Sequence, residues 1–150
     1  MVKVYIAGPV PEVGFDLLKD QGYEVEMYEG EGIIDKDTLK QGVKDADALI
    51  SLLSTNVDKE VIDAGSNLKI VANYGAGFNN VDVAYARQKD IDVTNTPKAS
   101  TNSTAELTFA LVLAVARRIA EGDKLCRTTG FDGWAPLFFR GREVSGIPRS

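Results

Sequence analysis

The sequence has no histidine, one cysteine (Cys126) and one tryptophan (Trp134). Without histidine, the side chain that most often serves as general acid, general base or metal ligand near neutral pH is missing. A single cysteine excludes an internal disulfide and any thiolate metal cluster, and reads as a reduced bystander thiol of a cytoplasmic protein. Basic residues are also in the minority, 17 Lys and Arg against 22 Asp and Glu, for a net charge of −5. A nucleic-acid surface needs a basic face to displace counterions, and no run of Lys and Arg interleaves with aromatics here. Long apolar runs are lacking too. The most apolar stretch, Leu107 to Ala116, is interrupted by Thr108 and followed by Arg117 and Arg118. A membrane span needs ~20 apolar residues, so this stretch reads as a buried helix. Met1 to Ala7 has neither the apolar core nor the cleavage site of a secretory signal.

What remains is an ordinary globular composition, 44% hydrophobic and 26% charged. Short β-branched runs alternate with segments of helical period, the mark of a parallel α/β sheet. The first strand is expected over Val2 to Ala7, ended by Gly8-Pro9. A helix follows from Pro11 to Asp20, with Val13, Leu17 and Leu18 on one face and Gly22 as its stop. The second strand, Tyr23 to Tyr28, alternates Val25 and Met27 with Glu24 and Glu26, which suits a sheet edge. Asp35 is placed to cap a helix to Asp45 that carries Leu39 and Val43 inward. Ala48 to Leu53 is continuously apolar apart from Ser51, as expected near a sheet centre. Asp58 begins a short helix with Val61 and Ile62, closed by Gly65. Leu68 to Ala72, a helix over Val81 to Gln88, and Ile91 to Thr94 complete five β/α units. They predict a flavodoxin-like, doubly wound sheet of order 2-1-3-4-5 over residues 1–100. Residues 101–150 hold a helix from Thr101 to about Ala120 and an arm, Gly130 to Gly146, rich in glycine and aromatics. That arm cannot build a core of its own and should lie over another surface.

In open parallel sheets, ligands bind beyond the carboxyl ends of the strands. The crevice between the third and fourth strands is flanked by Leu53-Ser54-Thr55 and by Tyr74-Gly75-Ala76-Gly77. Gly75-Ala76-Gly77-Phe78-Asn79-Asn80 invites a dinucleotide reading, but its third glycine is replaced by Asn80 and it follows the wrong strand. Two accounts of the loop stay open: backbone N–H groups offered to a small anion such as a carboxylate, or a structural turn.

Four segments in order, Ile50–Asp58 (ISLLSTNVD), Asn73–Asp82 (NYGAGFNNVD), Val93–Pro97 (VTNTP) and Ser103–Arg117 (STAELTFALVLAVAR), resemble the N-terminal part of the D-isomer-specific 2-hydroxyacid dehydrogenases. Gly130-Phe131, Gly133-Trp134 and Gly141-Arg142-Glu143 resemble the arm that precedes that family's cofactor domain. The resemblance implies NAD(P)-dependent interconversion of a 2-keto acid and a D-2-hydroxy acid, and a homodimer. It implies that Ala76 and Gly77 present main-chain N–H groups to the substrate carboxylate, and that Leu53 packs on the substrate's carbon chain. An ordinary core leucine is the alternative for Leu53. Thr104 would meet the nicotinamide of NAD or NADP, or else would simply cap the helix, with Glu106 and Glu121 solvated.

The family continues past Gly146 with a Lys-Thr pair, a strand and a true G-x-G-x-x-G, where this chain reads Ile147-Pro148-Arg149-Ser150. The family's arginine, acidic partner and histidine all lie beyond that point. No catalytic residue and no metal ligand is therefore expected, and the isolated chain should be inactive. A catalytically silent flavodoxin-like interaction module is the remaining alternative. A receiver domain would need acids where Gly8-Pro9 and Leu53-Ser54 stand, and a flavin carrier a hydroxyl-rich loop at Ala7-Gly8-Pro9-Val10.

Overall fold

The computed structural model describes residues 1–128 and 130–146; Ile147–Ser150, where the sequence leaves the family pattern, lie outside them. The chain divides into two units, Met1–Ala99 and Ser100–Ser150.

The first unit is a five-stranded parallel sheet built from β1 (Lys3–Ile6), β2 (Glu24–Met27), β3 (Ala48–Leu52), β4 (Ile70–Tyr74) and β5 (Asp92–Thr94). Its order, β2-β1-β3-β4-β5, is the expected one. Strand β2 lies at the edge and exposes Glu24 and Glu26 while half-burying Val25 and Met27. Helices α1 (Glu12–Asp20), α2 (Lys36–Val43), α3 (Lys59–Ala64) and α4 (Val83–Gln88) connect the strands.

Side chains alternate across a strand, so β3 sends Leu49 and Ser51 to one face and Ile50 and Leu52 to the other. The Leu49 face carries the main core, with Tyr5, Val71, Leu39 and Val43 of α2, Val61 and Ile62 of α3, and Ala86 of α4. Leu39, Val43, Leu49, Val61 and Val71 are fully buried, and each such side chain contributes roughly 1.5–3 kcal/mol. The opposite face buries Val4 and Ile6. Beside them, Val10, Val13 and Leu18 line an apolar hollow of about 300 Å³ with Ile50 and Tyr74.

Helix α1 corrects one expectation. It has no buried residue; Val13 and Leu17 are 66% and 60% exposed. Spacing alone put Val13, Leu17 and Leu18 on one face, but the sheet takes only part of that stripe. Gly22 does follow the helix, at φ +78°, where an L side chain would be strained.

Three caps match the chemistry read from the sequence or sit beside it. Asp35 accepts from Thr38 N–H at 2.9 Å, Asp58 from Glu60 and Val61 N–H at 3.1 and 3.2 Å, and Asp82 from Tyr85 N–H at 3.0 Å. Asp82 explains why α4 starts two residues later than expected. Val81 is instead held in a parallel bridge to Val57. Strand β4 is likewise shifted from the expected Leu68–Ala72. Leu68 N–H closes a turn onto Gly65 O at 3.0 Å, and pairing with β3 runs on through Asn73 and Tyr74.

In the second unit the single long helix is two, α5 (Thr101–Ala116) and α6 (Ile119–Thr128). Arg118, at φ +55°, turns the chain left-handed between them. The arm supports the break: Arg142 N–H donates to Ala116 O at 2.7 Å, and the Arg118 guanidinium lies 4.3 Å from the Phe139 ring centroid. Gly141 packs so closely that a Cβ there would stand 2.7 Å from Ala116 O. Arm aromatics contact one another, Phe131 to Phe138 at 5.9 Å between centroids and Phe138 to Phe139 at 6.1 Å. No glycine stands at Arg117 or Arg118 to mark this break in the sequence.

Candidate functional site

Beyond the carboxyl ends of β3 and β4, the turn Leu52–Val57 faces the loop Gly75–Val81. Their sides are joined by the Val57–Val81 bridge and by Val57 N–H donating to Asn80 O at 2.8 Å.

The loop's carbonyls and amides are treated differently. Gly75 O accepts from Thr96 N–H at 2.9 Å, Ala76 O from Asn95 Nδ2 at 2.8 Å, and Gly77 O from Asn73 Nδ2 at 2.7 Å. The N–H groups of Ala76 and Gly77 donate to no acceptor among the described residues. Three consecutive carbonyls are thus fixed from within, while the amides from Ala76 through Asn80 have no acceptor among the described residues, Ala76 and Gly77 being the first two of that run. Successive free amides in a turn are the groups from which anion-binding sites are built. The two segments, Leu52–Val57 and Asn73–Val81, contain no charged residue, so within them an anion would be met by neutral dipoles, not by an ion pair.

The glycines have separate reasons. A Cβ on Gly75 would collide with Leu53 Cγ and Cδ2 and lie 2.9 Å from Cδ1, so Gly75 is small because Leu53 lies across it. At Gly77 an added Cβ would meet Asn79 Oδ1 at 3.4 Å and Leu53 Cδ2 at 3.9 Å, which is ordinary contact. Gly77 also lacks a positive φ. Neither packing nor backbone conformation requires a glycine there. Leu53 itself is 55% exposed in this chain.

Thr104 belongs to the second unit, in the first turn of α5. It is not the cap; that position is Ser100, which makes no side-chain cap bond. Thr104 N–H donates to Ser100 O at 2.9 Å, and Thr104 O accepts from Thr108 Oγ1 at 2.7 Å. Glu121 is not merely solvated but pairs with Arg118, whose hydrogen bond holds the Glu121 carboxyl below its ordinary value.

A dinucleotide does not fit these residues. Strand β1 leads into Gly8-Pro9, where proline offers no N–H to a pyrophosphate. The glycine loop follows β4 instead, and its third glycine position is Asn80, whose Nδ2 is bound to Leu52 O at 3.0 Å and Thr55 O at 2.9 Å.

Residues missed by sequence reasoning form the floor of this crevice. Ser51 Oγ donates to Asn73 Oδ1 at 2.8 Å, and Asn80 Nδ2 reaches the same oxygen at 3.0 Å. Ser51 and Asn73 are buried. The signal was present: Ser51 alone interrupts the apolar run of its strand, and burying a hydroxyl is costly without a partner.

Residues 4–134 match the profile of the "D-isomer specific 2-hydroxyacid dehydrogenase, catalytic domain". The chain belongs to that family. A Staphylococcus saprophyticus protein named "Putative 2-hydroxyacid dehydrogenase" is 88% identical over 146 residues, 97% of this chain and 46% of its own length. A Thermus thermophilus crystal structure superposes with a TM-score of 0.89 at 36% identity, covering 97% of this chain and 47% of that one. The NAD+-bound 3-phosphoglycerate dehydrogenase of Entamoeba histolytica gives 0.69 at 30% identity, over 95% of this chain and 43% of its own. The chain therefore spans a little under half the length of these proteins it matches. Among the described residues, no helix is long and apolar enough to cross a membrane.

Proposed function

We propose that this chain is the substrate-binding part of an NAD(P)-dependent D-2-hydroxyacid dehydrogenase, and that the Ala76 and Gly77 N–H groups receive the carboxylate of a small 2-keto or 2-hydroxy acid. One observation carries the assignment: the carbonyls of Gly75, Ala76 and Gly77 are all satisfied internally, while the amides from Ala76 to Asn80 are left without acceptors, and Ala76 and Gly77 open that run where the small side chains leave the backbone accessible. Gly77 supports it, being small for no reason internal to the chain. A ligand approaching the backbone supplies the reason. Leu53, half-exposed and lying over Gly75, would cover the substrate's carbon chain. Its size would then limit the length of that chain.

NAD(P) supplies the hydride in such an enzyme. In this reading its main site lies in the other half of the parent protein, with Thr104 as the point in this chain that meets the nicotinamide. What this chain does is bind and orient an anion. It holds no histidine to carry the accompanying proton, so alone it should be catalytically silent. The lone thiol Cys126 is exposed and suits a cytoplasmic protein.

The test is a titration of the isotope-labelled chain with pyruvate, followed by amide NMR. Saturable shifts should centre on Ala76 and Gly77 and be lost in Gly77→Ala with the rest of the spectrum intact. In parallel, micromolar chain should oxidise no NADH with glyoxylate, pyruvate or hydroxypyruvate over hours, against a full-length family member as positive control. Shifts elsewhere, or none up to 100-fold over the protein's useful concentration range, would remove the carboxylate site. Turnover above background would remove the assignment of silence.

A further inference from the structure

We propose that Asn80, acting through Asn73, is the positioning residue of the carboxylate loop. Its side chain fastens the Gly75–Gly77 loop to the end of β3, so that the Ala76 and Gly77 amides stand at a fixed place in the crevice. The inference rests on the carboxylate reading given above and extends it to residues that touch no ligand.

Asn80 Nδ2 lies within 3.0 Å of three acceptors: Leu52 O, Thr55 O and Asn73 Oδ1. The first two belong to the turn after β3, the third to the end of β4. One amide group therefore ties both walls of the crevice together. Asn73 passes the constraint on. Its Oδ1 is held by Asn80 Nδ2 and by Ser51 Oγ at 2.8 Å, and its Nδ2 donates to Gly77 O at 2.7 Å. Fixing the Gly77 carbonyl fixes the peptide plane that follows it, and the neighbouring Ala76 carbonyl is fixed by Asn95. The Gly77 N–H shares its plane with that Ala76 carbonyl, so Asn95 sets its direction, while the Asn80–Asn73 link holds the next plane, Gly77–Phe78, and with it the position of Gly77.

A turn without a duty to a ligand would not need this arrangement. Ser51, Thr55 and Asn73 are 0%, 1% and 2% exposed, in places where an apolar side chain would serve the core without needing partners. Buried polar groups are tolerated only when every member is satisfied, and among the described residues no buried side-chain polar atom lacks a partner. Such a network specifies one geometry. A binding constellation needs its supporting groups locked in this way.

The experiment uses the whole chain and two readouts, one independent of any ligand. Backbone order parameters at Gly75, Ala76 and Gly77 should be near ~0.85 in the parent chain, the value of rigid backbone, and fall below ~0.6 in Asn80→Ala. Asn80→Asp keeps the shape but replaces the donor by an oxygen facing three acceptors, and should lose order equally. Pyruvate affinity, read from the Ala76 and Gly77 amides, should drop at least tenfold in both. Asp35→Ala removes a distant helix cap and serves as a control for lowered stability: it should leave loop order and pyruvate affinity unchanged. Should Asn80→Ala not fold, Ser51→Ala decides, since losing one of the two donors to Asn73 Oδ1 should loosen Gly77 alone. Parent-like order in the folded Asn80 variants, or in Ser51→Ala where that variant decides, overturns the positioning role, as does the same loss in Asp35→Ala. If the parent chain fails to bind pyruvate while Asn80→Ala still loosens the loop, the clamp stands and the carboxylate reading falls.

Discussion

Replacing Gly75 by alanine should be destabilising for one specific reason, the Leu53 side chain, and removing that side chain should relieve most of the cost. A Cβ at Gly75 would collide with Leu53 Cγ and Cδ2. Inserting a methyl into an occupied space costs typically 1–3 kcal/mol. Leu53 is 55% exposed and can swing toward solvent, which places the expected cost near the low end, about 1 kcal/mol. Leu53→Ala alone gives up part of a half-buried leucine, again about 1 kcal/mol. If the collision is the cause, Gly75→Ala added to Leu53→Ala should cost almost nothing, leaving a coupling energy of about 1 kcal/mol between two residues in contact. Urea unfolding of the four proteins of the cycle measures this, with equal m-values as the check that each unfolds alike. Gly77→Ala is the internal control, since its Cβ would meet nothing closer than 3.4 Å and surface changes of that kind stay within about 0.5 kcal/mol. Strict additivity of Gly75→Ala and Leu53→Ala would refute the steric account, and would mean that Gly75 is required by its backbone rather than by Leu53.

Two other expectations follow from the same coordinates. Asp58 is held below its ordinary carboxylate value, first by its hydrogen bond from Lys36 and further by the Val61 N–H; a depressed folded pKa stabilises above the unfolded value, ~4, and that share is lost as pH falls through the folded value. Asp58→Asn should therefore be less stable than the parent at pH 7, by no more than ~1 kcal/mol for a partly exposed pair, with the gap closing below about pH 4 in urea titrations; a gap that is constant with pH would contradict it. Helix α5 buries none of its residues, and Leu107, Phe109, Leu111 and Val115 are all more than half exposed. A helix apolar around most of its circumference needs cover, so sedimentation equilibrium at tens of micromolar should report twice the 16.2 kDa chain mass, and a single-chain mass throughout would rule out the pairing.

The sequence by itself determined the sheet, its order and the family. Five alternating β/α segments, with the caps Asp35 and Asp58 and the polar alternation of β2, leave little freedom in a parallel sheet. It also located the glycine loop, because Gly75-Ala76-Gly77 follows a strand. Tertiary structure decided what that loop can do. Whether a carbonyl is satisfied depends on partners far along the chain, and Asn95 and Thr96 reach the loop only after a full β/α unit. The separate reasons for Gly75 and Gly77 were invisible for the same cause, since Leu53 meets Gly75 across 22 residues. The exposed stripe of α1 and the break at Arg118 are also tertiary facts. Periodicity records which side chains share a face, not what covers that face, and the arm that receives the Ala116 carbonyl lies 26 residues away, at Arg142. The Ser51–Asn73–Asn80 network sits between these limits. Each residue was readable as polar in an apolar place, but only packing showed that they satisfy one another.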